Sequence, residues 1–124
     1  MKENENLTFF QIYRSNDKKK SKRLTRWRYF LEGELVAKSK EPFANYEAKY
    51  SIQRIRKNLK YGKYRWYTTI RSVGRWYWKL KSPNGRTVAM STDFFKEEED
   101  AKKAALAFKN TAWKASICKE INKE

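Results

Sequence analysis

Residues 76–91 read WYWKLKSPNGRTVAMS, and residues 27–39 read WRYFLEGELVAKS. Each stretch opens on an aromatic, alternates, turns through a glycine and closes on Val-Ala-x-Ser. Period-two alternation marks strands with one buried face, and a glycine between two such runs marks a hairpin. A unit written twice constrains the fold more tightly than composition does. Three strands and one helix bury little core alone, so two copies are expected to join their sheets and lay both helices on one face.

The remaining elements follow the same logic. Residues 1–6 are polar and expected to fray. LTFFQIYR (7–14) is rich in β-formers and reads as a strand, followed by SNDKKKSKR (15–23), a loop carrying a basic run. In the strand 25–31, Trp27, Tyr29 and Leu31 share one side, and Arg26, Arg28 and Phe30 the other. Glu32-Gly33-Glu34 turns the chain into LVAKS (35–39), and Pro42 marks a loop. From Asn45 the period changes: Ala48, Ile52, Ile55 and Leu59 follow helical spacing, with Asn45 as the expected N-cap and Glu47 in the first turn. Gly62 closes that helix or the loop behind it.

The second copy runs YRWYTTIR (64–71), the turn SVG, RWYWKLK (75–81), the turn Pro83-Asn84-Gly85 and RTVAMS (86–91). In 64–71, Trp66, Thr68 and Ile70 oppose Arg65, Tyr67, Thr69 and Arg71, and either set suits the core. Thr92 or Asp93 is expected to open the next helical region. The acidic run 97–100 then meets the positive end of a helix, which accounts for it without a metal. Ala101, Ala105 and Phe108 repeat the helical spacing. Beyond them the helix either continues through Trp113, Ile117 and Ile121 or breaks near Asn110.

The fold class read from this pattern is α+β: a tandem duplication of a β-β-β-α unit, with antiparallel sheets and helices packed on one face. The first repeat covers 7–60, and the second covers 61–124 with a helical C-terminal extension, both in one compact domain. The alignment sets Trp27 against Trp76, Leu31 against Leu80, Gly33 against Gly85, Ala37 against Ala89, Ser39 against Ser91 and Phe43 against Phe95. The first copy is then three residues shorter at its hairpin.

Composition narrows the function. A content of 40% hydrophobic and 16% aromatic residues supports a packed core in 124 residues. No apolar run is long enough to span a membrane, and MKENENLTFF is not a secretory signal. Cys118 is the single cysteine, so no internal disulfide or thiolate zinc site forms; a small core residue in a reducing, cytoplasmic setting is expected. Histidine is absent, which removes the common nucleophile-activating pairs and the usual base near neutral pH. Ser39 and Ser91 recur at strand ends and read as turn or cap hydroxyls rather than nucleophiles. No enzyme, cofactor or metal is expected.

Charge is the strongest functional signal. Thirty basic residues face fourteen acidic ones, a net charge of +16. Between Glu47 and Asp93 there is no acid at all. Unopposed cations repel one another unless a polyanion meets them.

The second copy resembles the YegP-like family of small tandem-repeat domains. Trp76, Trp78, Leu80, Asn84, Gly85, Ala89, Ser91, Phe95 and Ala101 occupy that family's aromatic strand, Asn-Gly turn, small-residue strand and helix start. In the first copy Trp27, Tyr29, Leu31, Gly33, Ala37, Ser39, Phe43, Ala48 and Ile52 match, but Glu32 replaces the asparagine. The resemblance covers about residues 9–109 and implies a duplicated α+β fold with a joined sheet. It implies no defined activity, and it does not explain the cationic excess. A more distant architectural likeness links the β-β-β-α unit to integrase arm-binding and AP2-type DNA-binding domains, which lay a sheet into a groove.

The leading expectation is a non-enzymatic protein that binds DNA or RNA through a basic, aromatic-bearing sheet face and a basic loop. The residues expected to carry it are Lys18, Lys19, Lys20, Lys22, Arg23, Arg26, Arg28, Phe30, Arg65, Arg71, Arg75, Tyr77, Lys79, Lys81 and Arg86. Cations would neutralise phosphates, and aromatics would stack on bases. The rival reading is a small interaction module, of phage or mobile-element type, that docks on an acidic protein surface. Monomer and homodimer both suit the pattern, because free sheet edges can pair.

Overall fold

The structure is a computed structural model that describes residues 7–14, 24–44 and 47–119. The expectations for residues 1–6, for the 15–23 loop, for Asn45 as a cap and for Ile121 fall outside those residues. Among the described residues there are eight strands: β1 (Phe9–Arg14), β2 (Leu24–Leu31), β3 (Glu34–Lys38), β4 (Phe43–Ala44), β5 (Arg65–Ile70), β6 (Trp76–Lys81), β7 (Thr87–Ser91) and β8 (Ser116–Lys119). Two helices complete the fold, α1 (Glu47–Tyr61) and α2 (Glu98–Ala112).

The strands form one sheet in the order β5-β6-β7-β3-β2-β1-β8, with the two-residue β4 paired to the start of β2. All neighbours are antiparallel except β1 and β8, which run parallel. Both helices lie on one face. The two halves share connectivity, and they meet where β3 pairs with β7 through Ala37↔Ser91 and Lys38↔Met90. One sheet and one core thus span both halves.

Alternation decides which side chains enter that core. Phe10 and Ile12 of β1, Trp27 and Tyr29 of β2, Ala37 of β3, Trp78 and Leu80 of β6 and Ala89 of β7 are all buried. They meet Ala48, Ile52, Ile55 and Leu59 of α1 and Ala101, Ala105, Phe108 and Ala112 of α2, the positions set by helical spacing. Phe108 is the hub. Its ring lies 6.1 Å from Phe10, 5.0 Å from Tyr29, 6.1 Å from Trp66 and 5.1 Å from Trp78. Trp66 therefore belongs to the helix side. The face of strand 64–71 left open by the sequence is settled, with Arg65, Tyr67 and Thr69 pointing away.

The turns carry the chemistry expected of them. Leu31 and Glu34 are joined by Glu32 (φ 51°) and Gly33 (φ 86°), a two-residue turn whose positive dihedrals match the twist of the hairpin. Ser39 and Ser91 are buried and act as struts. The Ser39 hydroxyl accepts the Trp27 backbone N–H at 3.3 Å, and the Ser91 hydroxyl accepts that of Trp78 at 3.2 Å. Neither is presented as a nucleophile.

The structure corrects four expectations. First, the paired struts equate Trp27 with Trp78, not with Trp76. Tyr29↔Ala37 matches Leu80↔Ala89, so Tyr29 rather than Leu31 corresponds to Leu80, and the hairpins differ by about one residue rather than three. Second, the chain does not open a helix at Thr92 or Asp93. Phe95 first bridges Trp76 through reciprocal backbone hydrogen bonds of 2.7 Å, and α2 begins at Glu98. Third, the described part of the C-terminal extension is not helical: α2 ends at Ala112 and Ser116–Lys119 is a strand along β1. Fourth, Cys118 is exposed rather than in the core, because it alternates with the half-buried Ile117. The acidic run does sit in the first turn of α2, as its dipole favours.

Candidate nucleic-acid interface

The sheet face opposite the helices is assembled by register. Tyr67 of β5 pairs with Lys79 of β6, Lys79 with Met90 of β7, and Met90 with Lys38 of β3. Lys38 pairs with Arg28 of β2, Arg28 with Gln11 of β1, and Gln11 with Cys118 of β8. This row crosses all seven strands of the main path. At about 4.8 Å per strand it is about 29 Å long. One step toward the β6–β7 hairpin, Arg65 pairs with Lys81, and Arg26 pairs with Tyr13 on the other half. One step the other way, Thr69 pairs with Tyr77, and Phe30 pairs with both Phe9 and Leu35.

The face is therefore graded. Arg26, Arg28, Lys38, Arg65, Lys79 and Lys81 occupy its middle and one side, and aromatic side chains border the other. None of the outward strand positions named above is acidic; the described acids sit in turns, loops and helices except Glu34, the first residue of β3, which pairs with Leu31. Two like-charged pairs, Arg28↔Lys38 and Arg65↔Lys81, stand directly opposite one another, an arrangement that destabilises a sheet on its own.

Local contacts hold these cations in place. The Arg28 Nε donates to Gln11 Oε1 at 2.6 Å, while its guanidinium lies 4.4 Å from the Tyr13 ring centroid and 5.5 Å from that of Phe30. Phe30 itself stacks on Phe9 at 5.2 Å. Lys81 lies over Tyr67 at 4.9 Å and Lys79 over Tyr77 at 5.7 Å. Arg26 donates to the Lys40 carbonyl at 3.2 Å. Arg28, Lys79 and Lys81, laid on aromatic faces, are ordered without an acidic partner among the described residues.

The other expected residues are placed less centrally. Arg71 and Arg75 flank the β5–β6 turn, joined by a 3.0 Å backbone hydrogen bond. The Arg75 guanidinium covers Phe94 at 4.4 Å, and Phe94 meets Tyr77 edge-on at 5.6 Å. Arg86 is exposed at the far end, in the Asn84-Gly85 hairpin, where its N–H donates to Asn84 Oδ1. Lys18, Lys19, Lys20, Lys22 and Arg23 lie outside the described residues.

Lys38, Tyr13 and Gln11 are the contributors that the candidate set lacked. Lys38 was within reach: Ala37 faces the core, so its neighbour in LVAKS faces out. Elsewhere, the buried Tyr29 hydroxyl donates to Thr111 Oγ1 at 2.8 Å, and Thr111 donates to the Ala107 carbonyl at 2.7 Å. Burial raises the Tyr29 phenol above its ordinary pKa, and the Thr111 hydrogen bond opposes that shift only in part.

With the geometry in place, comparison with known proteins is direct. No family model matches the chain, and no curated protein does. Two solution structures match it. UPF0339 protein SO3888 from Shewanella oneidensis is 13% identical with a TM-score of 0.73, over 91% of each chain. The protein of unknown function yegP from E. coli is 17% identical with a TM-score of 0.73, over 95% of this chain and 97% of its own. The fold is that of the YegP-like proteins. At these identities the likeness concerns backbone architecture, and the YegP-like fold does not account for the cation row. Among the described residues no helix is long and apolar enough to cross a membrane, and no group of three or more potential metal ligands occurs.

Proposed function

We propose that the protein is a non-enzymatic nucleic-acid-binding protein that lays the phosphate backbone of DNA or RNA across the open sheet face. The observation that carries this reading is the acid-free row Lys79–Lys38–Arg28, with the directly opposed pair Arg28↔Lys38 in it and a second such pair, Arg65↔Lys81, beside it. A polyanion relieves their repulsion and releases its own counterions, which makes binding favourable and salt-dependent. The rings of Tyr67 and Phe94, both substantially exposed, lie beside the cations where a base or sugar can meet them. Lys18, Lys19, Lys20, Lys22 and Arg23, which lie between β1 and β2 in the sequence, belong to the same proposal. The single exposed thiol of Cys118 suits a reducing, cytoplasmic compartment.

Titration against single- and double-stranded DNA and RNA at several salt concentrations tests it. The expected result is submillimolar binding with a steep salt slope and a preference among the four polymers. Binding that is absent at low salt overturns it.

One observation favours the rival reading. Arg28, Arg75 and Lys81 already cover the rings of Tyr13, Phe94 and Tyr67, which leaves fewer ring faces for bases and suits docking on carboxylates. Affinity capture from nuclease-treated lysate separates the two. Retention of an acidic protein on the sheet face supports docking, and loss of all partners supports nucleic acid.

A further inference from the structure

The two halves differ at one edge. β1 pairs with β2 as β5 pairs with β6, and Phe10↔Tyr29 corresponds to Trp66↔Leu80. The outer side of β1 is occupied by β8, with Ile117 set against Phe10 and half-buried on the core. Among the described residues, no strand occupies the matching outer side of β5. An open groove of about 320 Å³ lies there instead, between β5 and α2, lined by Trp66, Thr68, Lys102, Ala105, Leu106 and Lys109. Leu106 is 54% exposed. Thr68 donates to Glu98 Oε2 at 2.5 Å and closes one end. Lys102 and Lys109 make the α2 side of the groove basic.

We propose that β5 accepts an extended, acidic segment of another protein as an added parallel strand, one apolar side chain filling the groove between Trp66 and Leu106. β8 on β1 is the internal precedent for strand, direction and register. Backbone pairing supplies affinity to an exposed edge, and alternate side chains supply selection. The lysines ask for carboxylates on the added strand, one of them near its start opposite Lys109. A second copy brings another net charge of +16 to an already basic groove.

The test uses the full chain and a fluorescent peptide, acetyl-DEITVT-amide. Binding is read by anisotropy and by backbone amide shifts. The expected result is saturable binding with shifts concentrated in Arg65–Ile70. Leu106→Glu should weaken it about tenfold, the loss expected when one leucine contact is removed and a charge added. Lys102→Glu with Lys109→Glu should do the same. All three positions are exposed, so these variants fold. The proposal is overturned by tight binding of the same peptide N-methylated at every residue, or by shifts confined to the open sheet face. It is equally overturned by displacement of the peptide by oligo-dT at the sheet face, or by a peptide-free dimer that shows the β5 shifts in sedimentation and NMR.

Discussion

Replacing Arg28, Lys38 and Lys79 together with glutamine removes the central cation row and keeps side chains of similar length. Lys38 is exposed and Arg28 and Lys79 half-buried, and two of the three stand in opposed register. Loss of the Arg28–Gln11 hydrogen bond is offset by relief of repulsion, so stability should change by less than about 1 kcal/mol. Each lost phosphate contact lowers the slope of log affinity against log salt by about 0.9 for duplex or about 0.7 for single strands. Three contacts lower it by about 2.7 or about 2.1. Between about 50 mM and about 200 mM salt, the wild-type advantage should therefore shrink about 40-fold on duplex or about 18-fold on single strands. The assay is fluorescence anisotropy at four salt concentrations, with circular dichroism to confirm folding. The control is Lys49→Gln with Lys57→Gln and Lys63→Gln, all exposed and off the open face, with the same change in net charge. Equal slopes for the two triple variants would show that net charge alone governs binding, and the sheet-face reasoning would fail.

Three further outcomes follow from the packing. Phe108→Ala should destabilise the fold by about 3–5 kcal/mol in urea unfolding, because four aromatic neighbours lose their common partner, whereas Val73→Ala at a 96% exposed turn should cost less than about 0.5 kcal/mol. Ser39→Ala and Ser91→Ala should each cost about 1–3 kcal/mol, since each strands a buried tryptophan N–H, and similar losses at the two sites would confirm equivalent roles. The raised Tyr29 phenol favours the neutral form in the folded chain, so its contribution is complete below the ordinary value of 10.0 and lost as pH rises through the higher folded value. Tyr29→Phe should therefore show a shallower fall in urea stability above pH ~10 than wild type, and parallel curves would remove Tyr29 as the cause.

The faces of the strands were legible in the sequence because alternation is a local property. Trp27 and Tyr29 go inward and Arg28 outward by the pleat alone. The correspondence between halves was harder to read. A slip of two residues, Trp27 onto Trp76 instead of Trp78, keeps every side chain on its proper face, so pattern gives no penalty. Only the serine struts and the cross-strand pairs distinguish the two frames. The C-terminal segment misled for a different reason. Trp113, Ile117 and Ile121 repeat every four residues and suit a helix, and no glycine or proline interrupts them. What makes Ser116–Lys119 a strand is the unpaired side of β1, a tertiary demand invisible in local spacing. The candidate site was legible where cations share a strand with buried aromatics. It was not legible across strands, because the Lys79–Met90–Lys38–Arg28 row depends on β3 lying beside β7.

The parallel pairing of β1 with β8 has a consequence during synthesis. The chain emerges from the ribosome with its first strand ready, yet the strand that seals it is translated roughly a hundred residues later. At about 5–20 residues per second, that side of β1 waits about 5–20 s for its cover. A nascent chain stalled before Ser116 would present Phe9–Arg14 as a sticky edge, and chaperone capture should track that interval.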